Sequence, residues 1–127
     1  MKEYIYESTV REVKFEKIND KDYNVYTSES CFGYDWELFA TLQVVVNDIN
    51  DYSVLDDIQE GIIRNFFYNE TSFSDETSNG FYLMYSWKNY YGSFEVEKVT
   101  LDDGKDYSII QDNKYNHLVL KIERVDN

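Results

Sequence analysis

The chain has 127 residues, 25 acidic and 12 basic side chains, and a formal net charge of −13. That charge excludes nucleic acid and anionic membrane as direct partners, since both would repel it, and the single cysteine, Cys31, excludes an internal disulfide. A hydrophobic fraction of 43%, with 13 tyrosines and 8 phenylalanines, excludes a disordered acidic tail, and the length fits one domain over residues 1–127.

Residues 3–8 and 10–18 read as extended. Tyr4 and Tyr6 alternate with polar or smaller neighbours, Val13 and Phe15 alternate on the opposite parity, and the change near Val10 implies a bend or bulge. The stretch 1–8 lacks the charged-then-apolar pattern of a signal peptide, and no run is long enough to span a bilayer. With one cysteine, this makes a cytoplasmic location the expectation. Asn19, Asp20 and Asp22 mark a turn, after which Tyr23, Val25 and Thr27 alternate, so an N-terminal β-hairpin is predicted.

Residues 35–49 support two periods. Leu38, Leu42, Val45 and Ile49 recur at helical spacing, with Asp35 as cap. Leu38, Ala40, Leu42, Val44 and Val46 alternate as a strand would. The unbroken length favours a helix over about 35–49. A second helix is predicted over about 53–68. Ser53 serves as N-cap there, Asp56 completes a shortened capping box, and Leu55, Ile58, Ile62 and Phe66 form an apolar stripe. Glu60 and Arg64 are spaced as an i,i+4 pair, and Gly61 in mid-helix implies close packing or a kink.

Residues 69–79 read as a polar loop, and the sequon at Asn69 is assigned no role. From Gly80 the period becomes two. Phe81, Leu83, Tyr85 and Trp87 form one strand face, and Phe94 and Val96 begin another, with a parity slip at Lys98 and Val99. Asp102-Asp103-Gly104-Lys105 is a tight hairpin turn; Tyr107 and Ile109 follow, then a turn at 113–116, then Leu118, Leu120 and Ile122. The predicted fold is therefore α+β: an N-terminal β-hairpin, two helices, and a four-stranded antiparallel meander packed against the helices.

No catalytic set emerges. His117 is the only histidine, no nucleophile elbow is present, and adjacent carboxylates such as Asp56/Asp57 and Asp102/Asp103 point apart. One His and one Cys cannot build a structural zinc site. Asp48, Asn50 and Asp51 lack the glycine and terminal glutamate of a calcium loop. The expectation is a protein that is not an enzyme and uses no metal or cofactor.

Charge is the remaining signal. Residues 35–78 hold ten acids against one base, Arg64. The expected partner-binding residues are Asp48, Asp51, Asp56, Asp57, Glu60, Glu70, Asp75 and Glu76, joined by Tyr90 and Tyr91, because tyrosine offers wide contact at low entropic cost. The expected partner is a basic protein, a nuclease or other nucleic-acid-binding protein. In size, acidity and lack of a catalytic set the chain resembles phage anti-defence proteins, the anti-CRISPR and anti-restriction DNA mimics. The alternative resemblance is to bacterial immunity proteins that neutralise a cognate toxin such as a nuclease; concentration of charge in one segment favours the first. Either resemblance implies inhibition by occupying a cationic surface, and no motif transfers a site. A structural or assembly accessory of a phage or mobile element is the further alternative.

Overall fold

A computed structural model describes residues 3–7, 12–28, 35–67 and 87–125. Seven strands and one helix make up its regular elements: β1 (Glu3–Glu7), β2 (Glu12–Lys17), β3 (Asp22–Ser28), β4 (Glu37–Val46), α1 (Tyr52–Phe67), β5 (Gly92–Thr100), β6 (Asp106–Asn113) and β7 (His117–Arg124). All seven strands form one mixed sheet in the order β1-β2-β3-β4-β7-β6-β5. Each half is an antiparallel meander, and the halves join where β4 runs parallel to β7.

Two sequence expectations are corrected. The helix expected over about 35–49 is strand β4, and the molecule has one helix among its described residues. The alternating pattern wins because the position is central: β4 hydrogen-bonds to β3 on one side and β7 on the other, and a helix there would orphan both ladders. Ala40, Leu42, Val44 and Val46 are buried on one face, whereas Leu38, which both patterns group with Leu42, is 59% exposed. A bulge opposite Val25 and Tyr26 turns Phe39 into the core beside Ala40.

The four-stranded meander is likewise overturned. Strands β5, β6 and β7 form a three-stranded meander inside the larger sheet; Trp87 and Lys88 are helical where a strand was expected, and residues 81–86 fall outside the described set. The parity slip of this region is a bulge between Glu95 and Lys98.

α1 packs across one face of the sheet. Ile58, Ile62 and Ile63 join Val13, Phe15, Leu42, Leu120 and Ile122 in a single core. The helix begins one residue earlier than expected, because Asp51 is its cap: Asp51 Oδ1 accepts from Ser53 N at 3.1 Å and Ser53 Oγ at 2.9 Å. These bonds, the side-chain one foremost, hold the Asp51 carboxyl below the usual range. Gly61 marks a close approach: a Cβ there would meet Leu101 Cδ2 at 3.3 Å.

The fully buried Gln59 fastens the helix to the sheet. Its Oε1 accepts from Lys17 Nζ at 2.8 Å and Tyr23 OH at 3.2 Å, and its Nε2 donates to Asp20 O at 2.7 Å and Val44 O at 2.9 Å. One amide thus ties α1 to β2, β3, β4 and the turn between β2 and β3. On the opposite sheet face, Lys14 Nζ lies 4.9 Å from the Tyr26 ring centre and 4.8 Å from that of Trp36.

Candidate partner-binding surface

α1 runs across the strands, from Lys17 of β2, which meets Asp56, to the turn between β5 and β6, which meets Gly61. Between the helix and that turn lies a groove of about 520 Å³. Its apolar lining is Val54, Ile58, Gly61 and Leu101. Carboxylates come from two elements, Asp57 and Glu60 on the helix and Asp102 and Asp103 on the turn, and Arg64 and Lys105 are the cations beside them.

The turn is rigidly built. Gly104 has φ +78, its N–H donates to Leu101 O at 2.9 Å, and Asp103 Oδ1 accepts from Lys105 N at 2.8 Å. Asp103 Oδ2 accepts from Tyr107 OH at 2.7 Å. That bond holds the Asp103 carboxyl below its ordinary value, while burial, reinforced by the same bond, pushes the Tyr107 phenol up to about 12. Arg64 approaches Asp102 at 3.6 Å, in place of the expected pair with Glu60.

The structure distributes the ten expected residues. Asp57 and Glu60 share the groove. Asp56 turns inward to Lys17 at 2.8 Å, with side chains only 17% and 15% exposed, so its charge is largely neutralised within the fold. Asp51 caps α1, and Asp48 occupies a turn with φ +64 at the end of β4. Tyr90 and Tyr91 stand at the opposite end of β5 from the groove. The Tyr90 ring meets Phe94 edge-on at 4.7 Å, and Tyr91 meets Tyr115 at 5.3 Å. Glu70, Asp75 and Glu76 lie outside the described residues.

Sequence reasoning missed Asp102 and Asp103 as surface partners of the helix carboxylates, and it marked Tyr115 as an outward tyrosine without pairing it with Tyr91. The turn at 102–105 was legible as a turn, yet its place beside the helix rests on contacts distant in sequence, Gly61 with Leu101 and Arg64 with Asp102. Tyr115, 85% exposed with φ +37, sits in the tight turn between β6 and β7. Exposed carboxylates also occur at Glu3, Asp20, Glu37, Glu95 and Glu123, so the negative surface extends well beyond α1.

His117 Nδ1 lies 2.6 Å from Thr41 Oγ1 across the β4–β7 pair. Among the described residues no cluster of three or more His, Cys, Asp or Glu is arranged to hold a metal ion, and no helix is long and apolar enough to cross a membrane. Comparison with family models, curated proteins and solved structures finds no match for the chain.

Proposed function

We propose that this protein is a binder that inhibits or neutralises a basic protein partner, one whose cationic surface normally handles nucleic acid. The observation that carries the reading is the groove between α1 and the β5–β6 turn, where four carboxylates surround an apolar lining. A lysine or arginine of the partner buries its aliphatic stem against Val54, Ile58 and Leu101 and leaves its charge among Asp57, Glu60 and Asp102. The net charge of −13 steers such a partner in, raising the association rate by about 10–10³-fold at low salt. A standard interface of roughly 800 Å² per partner is about a tenth of the 7567 Å² surface.

The phage anti-defence and toxin-immunity readings both use this surface, and gene neighbourhood separates them. The test immobilises wild type beside the triple variant Asp57→Lys/Glu60→Lys/Asp102→Lys and captures proteins from a host lysate at low and high salt. Asp56 is left intact because it holds Lys17. Basic nucleic-acid-binding proteins captured by wild type, and lost both in the variant and at high salt, support the reading. Equal capture by a variant with unchanged thermal unfolding sinks it.

A further inference from the structure

The sheet ends on β5, which pairs with β6 on one side and meets no strand on the other among the described residues. It is nine residues long, against five for β1 at the other edge. A long strand with an unpaired row of backbone N–H and C=O groups is a template for another strand.

The bulge gives this edge an unusual symmetry. Phe94 and Val99 pair with Gln111 and Tyr107, whose side chains are buried on the helix side of the sheet. Glu95 and Lys98 pair with Ile110 and Ser108, on the other side. Val96 and Glu97 together oppose the one intervening residue, Ile109. In a regular strand, residues three apart face opposite ways; here Glu95 and Lys98 face the same way. The pattern of faces therefore reads alike in both directions from the Val96–Glu97 peptide.

We propose that β5 pairs antiparallel with β5 of a second copy about a two-fold axis at that peptide, merging two sheets into one. An axis between residues cannot match the faces of two regular strands, and the bulge removes that mismatch. In this register Glu95 lies opposite Lys98 of the second copy, and the symmetry makes the pair twice. Phe94 lies opposite Val99, and Ser93 opposite Thr100. Glu95 and Lys98 are both exposed, and among the described residues neither has an ion-pair partner in its own chain. One register away, Glu95 would meet Glu97 or Val99. At the ends of the pairing, Tyr91 comes opposite Asp102 of the second copy. A bulge ordinarily guards an edge by breaking the ladder; here both bulges fall on the axis, and the ladders on either side stay in step. The inference is independent of the partner proposed above.

The test is sedimentation equilibrium at about 0.15 M salt, where the Debye length is about 8 Å and the repulsion between two acidic copies is screened. Wild type is expected to reach twice 15.2 kDa as concentration rises. Glu95→Lys alone, or Lys98→Glu alone, sets like charges opposite each other twice and should weaken the dimer by at least about tenfold, with far-ultraviolet circular dichroism unchanged. An equimolar mixture of the two variants restores both opposite-charge pairs and should return the dimer. A wild type that stays monomeric at every concentration overturns the proposal. So does a single variant as dimeric as wild type, or a mixture that fails to associate. Hydrogen exchange of β5 amides, read on wild type alone, should slow with concentration, and concentration-independent exchange overturns the proposal as well.

Discussion

Gln59 and Gln111 are both buried glutamines with opposite consequences. Gln59 satisfies its whole amide through Lys17, Tyr23, Asp20 and Val44. Neither amide atom of Gln111 has a hydrogen-bond partner among the described residues. A satisfied buried polar group anchors its neighbours, whereas an unsatisfied one keeps the full desolvation cost. Gln59→Leu is therefore expected to destabilise by about 3 kcal/mol, and Gln111→Met to stabilise by about 1 kcal/mol. Urea unfolding of the two variants checks this, and a shared sign would contradict it. The same scale shows why Asp56 could not be read correctly from sequence. A carboxylate in the first turns of a helix looks like surface charge, and its partner Lys17 is 39 residues away.

At the scale of elements, β4 shows what local pattern can and cannot decide. Its residues fit a helix and a strand equally well, and the choice between them is made by β3 and β7, which need a neighbour on each side. Leu38 and Leu42 lie on one stripe of the hypothetical helix but on opposite faces of the real strand. Leu42→Ala is expected to cost about 2–5 kcal/mol, and Leu38→Ala no more than about 0.5 kcal/mol. Similar losses at both sites would contradict the bulge that places them on opposite faces. The second helix was legible because its stripe and its capping signal agree with each other, although the cap moved from Ser53 to Asp51 and the first turn of the helix holds no acid. Half of the groove was visible with it, in Asp57 and Glu60. The half on the β5–β6 turn was not, since it depends on the direction in which the helix crosses the sheet.

Across the whole molecule, negative charge bears on how tyrosines ionise. Tyr4 is pushed up to about 12, first by burial and then by the charges of Asp56, Glu60 and Asp57; Tyr107 is also raised to about 12, by burial and Asp103. A phenol whose folded value lies above its unfolded value of about 10 supports the fold fully below pH 10. That support is lost as pH rises through about 12. Stability is thus expected to fall across this alkaline window, with Tyr4 and Tyr107 ionising only there or on unfolding. Ultraviolet titration of phenolate alongside circular dichroism measures both, and complete ionisation near pH 10 with the fold intact would contradict it.

The parallel contact of β4 with β7 has a kinetic corollary. Thr41 and His117, neighbours across it, are separated by 76 positions of chain. Until β7 has been made, β4, the most apolar of the described strands, is an exposed rim. Refolding should therefore wait on one distant encounter, giving a slow main phase for so small a chain. During that wait β4 is the segment most prone to adhere to other molecules. Nascent chains that stop short of His117 are the species from which aggregates would grow.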